Sequence, residues 1–320
     1  MFDVLKQVSD IGIVPVVKID RADDAIELAN ALIKGGLPCA EITFRTAAAK
    51  EAIKLISNRF PQMLVGAGTV LTKQQADDAM AAGAKFLVSP GLNPEIVKYC
   101  LEKGYPITPG VSNPSDVETA LSLGLDVVKF FPAEAAGGLK MIKAMSAPYV
   151  GLKFMPTGGI NAKNLKQYLD FDKIIACGGS WMVSGDMINA GDFEGIERLT
   201  REAVKEMLGF SLKHIGINCE NEEKAMSVAK MFASIFGFAL DEKSASIFAG
   251  NEFEIMKSKG YGEMGHIAIG TNYINRAVRY LKAMGVKFDE DSKKLDEKGN
   301  VRLIYLADDF GGFRVHLLKN

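Results

Sequence analysis

Nowhere in this 320-residue sequence do two cysteines stand at metal-ligand spacing. Its four cysteines, Cys39, Cys100, Cys177 and Cys219, lie far apart and form no Cys-x-x-Cys. That spacing excludes a zinc knuckle and a disulfide framework, and makes a reducing cytoplasm the expected compartment. Formal net charge is −1, so there is no basic field to draw nucleic acid or an anionic membrane. No apolar run is long enough to span a bilayer. The opening Met1-Phe2-Asp3-Val4-Leu5-Lys6 carries charges early and lacks a long apolar core, unlike a signal peptide. No Gly-x-Gly-x-x-Gly follows the first apolar stretch, which argues against dinucleotide binding. Histidine is scarce: there are three, and all lie beyond residue 210.

What is present is a regular alternation. Hydrophobic residues make up 48% and charged residues 24%, the balance of a globular protein long enough for a large domain and a smaller one. Short apolar stretches at 13–18, 39–43, 64–67, 86–88, 105–108, 126–130, 153–157 and 174–177 predict strands. Amphipathic stretches between and after them predict helices, many followed by glycine or opened by proline. Short strands of continuous apolar character are buried on both faces of a parallel sheet. Eight strand-helix units within about 200 residues predict an α/β fold, a (β/α)8 TIM barrel rather than an open doubly wound sheet. The domain occupies 1–209, and 211–320 forms a second, smaller α+β domain.

A barrel carries its chemistry where strands run into the following helices. The unusual residues stand at those places. Lys129 lies on a strand between Val127 and Phe131, which share its face. Apolar surroundings disfavour an ammonium ion and favour the neutral amine, which can attack a ketone to form a Schiff base. The plainer alternative is a structural lysine snorkelling from the barrel end. Glu41 and Arg45 share a face at the end of the second strand. A buried carboxylate needs a partner or a task, and Arg45 can grip a substrate carboxylate. A Glu41–Arg45 ion pair serving stability alone is the competing account. Lys18 and Lys153 are rival strand lysines without an aromatic wall. Pro156-Thr157-Gly158-Gly159-Ile160 and Gly178-Gly179-Ser180 follow strands seven and eight. Barrels often hold a phosphate there on glycine amides and a helix N-terminus.

These stretches carry a resemblance. Glu41-Ile42-Thr43-Phe44-Arg45-Thr46, Gly66-Ala67-Gly68-Thr69-Val70-Leu71, Ser89-Pro90-Gly91, Lys129-Phe130-Phe131-Pro132-Ala133-Glu134, Pro156-Thr157-Gly158-Gly159-Ile160 and Gly178-Gly179-Ser180-Trp181 occur in order. Together they resemble the class I bacterial aldolases acting on 2-keto-3-deoxy-6-phosphogluconate (KDPG) and 4-hydroxy-2-oxoglutarate (KHG). The resemblance implies Lys129 as the Schiff-base lysine and Glu41 as general acid/base, with no cofactor. It implies Arg45, Thr69 and Pro90 around the pyruvyl part, with Phe131 beside it, and Thr157 among the substrate-binding residues. It implies a phosphate near Gly158, Gly159, Gly179 and Ser180, and a homotrimer. Ser112-Asn113-Pro114-Ser115-Asp116 departs from the family's usual Thr-Pro-Ser/Thr-Glu at a helix start.

The tail contains an internal repeat. Lys213-His214-Ile215-Gly216-Ile217 answers Gly265-His266-Ile267-Ala268-Ile269. A helix follows each, and each half closes on a similar strand, Phe253-Glu254-Ile255-Met256-Lys257 or Val315-His316-Leu317-Leu318-Lys319. The pattern is β-α-β-β-β written twice, and it resembles the glyoxalase/bleomycin-resistance (vicinal oxygen chelate) fold. By that resemblance His214, Glu254, His266 and His316 are candidate ligands for a divalent metal, suited to zinc, nickel, iron or manganese. Histidines packed in a cup that binds an organic ligand, or nothing, are the alternative. For the whole chain the expected function is an aldolase with an accessory domain and a small keto-acid sugar phosphate as partner. Two rivals stay open: another phosphate-binding barrel enzyme of isomerase or thiamine-phosphate synthase type, and a non-catalytic sensing or assembly protein.

Overall fold

The computed structural model describes residues 2–297 and 299–320. The chain divides into two compact units, Met1–Glu206 and Met207–Asn320. The strands of the first are β1 (Ile13–Val17), β2 (Cys39–Thr43), β3 (Leu64–Gly68), β4 (Phe86–Val88), β5 (Ile107–Thr108), β6 (Gly110–Val111), β7 (Val127–Phe130), β8 (Lys153–Pro156) and β9 (Cys177–Gly179). Its helices are α1 (Asp3–Ile11), α2 (Ala25–Lys34), α3 (Ala49–Arg59), α4 (Lys73–Ala81), α5 (Pro94–Glu102), α6 (Pro114–Ser122), α7 (Gly138–Ser146), α8 (Ala162–Leu169), α9 (Gly185–Ala190) and α10 (Phe193–Leu208). Pairing is parallel throughout, in the orders β5-β4-β3-β2-β1-β9 and β6-β7-β8. Isolated parallel bridges at Phe154–Ile174 and Thr157–Gly178 lie between the last two strands. The result is an aldolase-type, barrel-like (β/α) fold whose strands are almost wholly buried.

The helix starts follow local chemistry. Thr72, Asn93, Asn113 and Asn161 each accept a hydrogen bond from an amide in the first turn of the helix that follows, which satisfies a donor the helix itself leaves unpaired. Asn113 caps α6 in the segment that departs from the family pattern, so the departure leaves that helix start intact.

Three elements differ from the sequence-based expectation. The fifth strand, expected at 105–108, is two pieces separated by Pro109, which has no N–H to donate. Its carbonyl still accepts from the Lys129 amide at 2.9 Å. The eighth strand, expected at 174–177, is Cys177–Gly179, and Ile174 makes only a bridge. Glycine is a poor strand former, but Gly178 and Gly179 pair with Val14 and Pro15 of β1, so tertiary pairing overrides propensity. The short helix α9 had no sequence signal.

The second unit holds β10 (Ser211–Asn218), α11 (Glu222–Phe236), β11 (Leu240–Glu242), β12 (Ser246–Ala249) and β13 (Phe253–Met256). It then runs through β14 (Gly265–Thr271), α12 (Ile274–Ala283), β15 (Phe288–Leu295), β16 (Val301–Phe310) and β17 (Phe313–Lys319). One eight-stranded sheet has the order β11-β12-β13-β10-β14-β17-β16-β15. Each half places its first strand parallel to its last, and the two first strands meet antiparallel. Ala225 and Ala229 of α11 pack on Ile247 and Ile255 of the sheet. Among the described residues no helix is long and apolar enough to cross a membrane.

Candidate functional site

Lys129 projects from β7 and is 5% exposed; Glu41 on β2 is 1% exposed. They form a buried ion pair, Lys129 Nζ to Glu41 Oε1, at 3.4 Å. Gly68 makes room for the Glu41 carboxylate, and Gly110 for the turn that carries Pro90. A Cβ at Gly68 would stand 2.1 Å from Glu41 Oε1, and a Cβ at Gly110, the register partner of Lys129, would stand 2.0 Å from the Pro90 carbonyl oxygen. The Lys129 ammonium lies 5.2 Å from the centre of the Phe131 ring. Glu41 Oε2 is buried without a hydrogen-bond partner. One carboxylate oxygen thus meets the amine and the other is left for a further group, the arrangement a proton-transferring carboxylate needs.

The remaining expected residues lie at or just after strand ends. Arg45 is exposed, and its Nε donates to Thr43 Oγ1 at 3.1 Å; that hydroxyl donates in turn to the Val17 carbonyl at 2.7 Å. The partner of Glu41 is therefore Lys129, and Arg45 is anchored through Thr43 instead of pairing with Glu41. Thr69 has φ +56, alone among described non-glycine residues in the left-handed region. Such strain is kept where surrounding structure demands it, often at a site. Ser89 Oγ donates to the Gly91 carbonyl at 2.8 Å and ties the turn that carries Pro90. Thr157 is buried with its hydroxyl unpartnered, against Gly178, whose Cβ would lie 2.3 Å from that oxygen. Gly158 and Gly159 have φ +102 and +81, which side chains resist. Gly179 lies under the Trp181 ring, and Ser180 is exposed beside it. The rival lysines are occupied elsewhere: Lys18 pairs with Asp20 and Lys153 donates to the Asp172 carbonyl.

Residues 4–199 match the family described as KDPG and KHG aldolase. The chain belongs to that family. It is 50% identical over 201 residues to the 2-dehydro-3-deoxy-phosphogluconate aldolase of Haemophilus influenzae, covering 63% of this chain and 95% of that one. A KDPG aldolase of Legionella pneumophila, solved with pyruvate captured as a covalent carbinolamine, is 40% identical with TM-score 0.61 over 62% of this chain and 97% of its own. The Zymomonas mobilis ZM4 enzyme solved with 3-phosphoglycerate is 42% identical with TM-score 0.58, over 62% and 94%. The aldolases of this family are lyases.

Within the aldolase unit, sequence reasoning overlooked the residues that support the site. Gly68 stands inside a motif, but nothing in the sequence shows that its missing side chain admits the Glu41 carboxylate. Thr43 gives no sequence signal of the role it plays in anchoring Arg45. Tyr168 went unremarked, although its hydroxyl hydrogen-bonds the Glu134 carboxylate. A tyrosine on the buried face of α8 gives no sequence signal of a distant partner.

The tail residues also converge. His214 Nε2 and His266 Nε2 are 3.2 Å apart, and each is 3.1 Å from Glu254 Oε2. The ligand atoms of His214, His266 and His316 lie within 4.8 Å of one another. His316 is 2% exposed, and neither ring nitrogen has a hydrogen-bond partner. Its burial, with His266 and His214 beside it, lowers its pKa to about 3. Burial raises the Glu254 pKa, but hydrogen bonds from His214, His266 and Ser246 outweigh it and hold the carboxyl well below its usual range. Gly216 makes room: a Cβ there would stand 2.1 Å from the His266 ring. Ser246, which donates to Glu254 Oε1 at 2.7 Å, was also unforeseen.

Proposed function

We propose that residues 1–209 form a Schiff-base aldolase. It cleaves 2-dehydro-3-deoxy-6-phosphogluconate to pyruvate and glyceraldehyde 3-phosphate, and 4-hydroxy-2-oxoglutarate to pyruvate and glyoxylate. The observation that carries this is the buried Lys129–Glu41 pair at 3.4 Å, with one carboxylate oxygen unpartnered. The neutral Lys129 amine attacks the C2 ketone, and loss of water leaves a protonated imine. Glu41 takes the proton from the C4 hydroxyl. The C3–C4 bond breaks, its electrons enter the imine to form an enamine, and the aldehyde leaves. The enamine takes a proton on C3, water hydrolyses the resulting imine, and pyruvate departs with the amine restored. Arg45, Thr69, Pro90, Phe131 and Thr157 hold the keto-acid end, and Gly158, Gly159, Gly179 and Ser180 the phosphate. The strain at Thr69 and the unpartnered Thr157 hydroxyl support the first assignment; the paired positive-φ glycines support the second. The strands close as a full (β/α)8 barrel, with β5 and β6 counted as one strand interrupted at Pro109, and the barrel works in the cytoplasm as a homotrimer.

Pyruvate and borohydride test the chemistry. Lys129→Ala abolishes covalent trapping, and Lys153→Ala leaves it unchanged. Trapping that survives in Lys129→Ala removes the lysine from its role. It would favour the rival barrel enzymes or a non-catalytic protein.

The tail, residues 211–320, is proposed as a pair of vicinal-oxygen-chelate-like modules around a divalent metal held by His214, Glu254, His266 and His316. Donors about 2.1 Å from a metal stand roughly 3.0 Å apart in octahedral geometry and roughly 3.4 Å in tetrahedral geometry. The observed separations of 3.1, 3.1 and 3.2 Å fall in that interval. The unpartnered His316 nitrogens supply a further donor. Such a set suits zinc, nickel, iron or manganese, which would act there as Lewis acids. Elemental analysis of the full-length protein, grown with added metal, reads about one ion per chain. A metal-free protein would overturn the site.

A further inference from the structure

We infer that Glu134 and Tyr168 are positioning residues for the phosphate end of the substrate: together they fix the peptide planes of the Thr157–Gly159 turn. The inference rests on the proposal that this turn receives the phosphate.

Three successive carbonyls of the turn are held from outside it. Thr157 O accepts from the Ala133 amide at 2.8 Å, and Gly158 O from the Glu134 amide at 3.0 Å. Gly159 O accepts from the side-chain amides of Asn161 at 3.2 Å and Asn164 at 3.1 Å. A peptide plane whose oxygen is fixed has its neighbouring N–H fixed as well. Two glycines in series would otherwise leave the turn loose.

Glu134 presses on the same turn with its side chain. A Cβ on Gly159 would lie 2.5 Å from Glu134 Cγ and 2.6 Å from its Cβ. Glu134 is exposed, and an exposed glutamate ordinarily samples many rotamers. Here its far end is held: the Tyr168 hydroxyl donates to Oε1, and Tyr168 is 2% exposed on α8. Burial, followed by the hydrogen bond to Glu134, pushes the Tyr168 pKa up, so its hydroxyl remains a donor at neutral pH. The anchor therefore joins the segment after β7 to the body of α8. Lys129 and Glu134 belong to a single run of chain, so the same segment carries the reacting amine and braces the phosphate turn. A carboxylate beside a phosphate would repel it. Shape and anchoring, not charge, are therefore what Glu134 supplies.

Charge and shape are separable by substitution. Tyr168→Phe keeps the ring and removes the anchoring hydroxyl; Glu134→Gln keeps an acceptor oxygen and removes the charge. The full-length protein is assayed with the phosphorylated keto-deoxy sugar acid and with 4-hydroxy-2-oxoglutarate. Tyr168→Phe and Glu134→Ala raise KM for the phosphorylated substrate about tenfold, as expected for a lost positioning contact. The other KM, both kcat values and borohydride trapping stay within about twofold. Glu134→Gln behaves as the parent or binds the phosphorylated substrate more tightly. Equal KM increases for the two substrates in Tyr168→Phe mean a merely structural role and overturn the inference. A weakened Glu134→Gln means that charge is what counts, and also overturns it. A parent with no preference for the phosphorylated substrate overturns the phosphate-end assignment and this inference with it. A parent preference that survives Tyr168→Phe overturns the inference alone.

Discussion

Adding one methyl group at Gly68 tests how closely the proposed catalytic pair, Lys129 and Glu41, is set. Gly68 lies outside the left-handed region, so alanine meets no backbone penalty there. Its Cβ, however, would stand 2.1 Å from Glu41 Oε1 and 2.8 Å from Glu41 Cδ and Cγ. Unstrained contact needs about 3.5 Å, so the carboxylate must retreat by roughly 1.4 Å. Glu41 is 1% exposed and packed, so no solvent-side rotamer is open to it. The retreat carries Oε1 out of the 3.4 Å pairing with Lys129 and moves the proposed base away from the position proposed for the C4 hydroxyl. A 1 Å misplacement of a catalytic group costs on the order of 10²-fold in rate, or about 2.7 kcal/mol of transition-state stabilisation. Lys129 loses its carboxylate partner but keeps the amine that would form the Schiff base. Gly68→Ala should therefore still trap pyruvate under borohydride while kcat for KDPG cleavage falls about 10²-fold. Coupled measurement of pyruvate release gives kcat, mass spectrometry gives the trapped fraction, and thermal unfolding checks the fold. A kcat within twofold of the parent, with a folded protein, would refute the placement of Glu41 as the proton-transferring group.

Other substitutions probe the remaining proposals. Ser180→Asp sets a negative charge beside the expected phosphate. It should raise KM for the phosphorylated substrate at least tenfold and leave 4-hydroxy-2-oxoglutarate within about twofold; indifference would mean that no phosphate binds there. Gly216→Ala drives a Cβ to 2.1 Å from the His266 ring and should weaken metal binding by about tenfold or more in calorimetric titration, with aldolase turnover unchanged. Light scattering at micromolar concentration should give three chains per particle; a monomer counts against the trimer.

The alternation of short apolar strands with capped helices was legible in the sequence because burial on both faces leaves a continuous apolar run and because helix ends need particular residues. Lys129 and Glu41 were legible for the related reason that a charge inside such a run is costly and demands an explanation. The repeat around His214 and His266 was visible as simple self-similarity. The sequence could not show that Glu41 pairs with Lys129 and not with Arg45, because Glu41 and Lys129 are 88 positions apart and only the fold brings them together. It could not mark Gly178 and Gly179 as strand, because their pairing with β1 supplies what their propensity denies. Nor could it show why Gly68, Gly110 and Gly216 must lack a side chain, since the atoms that would collide with a Cβ belong to residues distant along the chain. Local propensity and burial pattern are written along the chain. The space around a carboxylate or an imidazole is set by neighbours that only the folded backbone brings near.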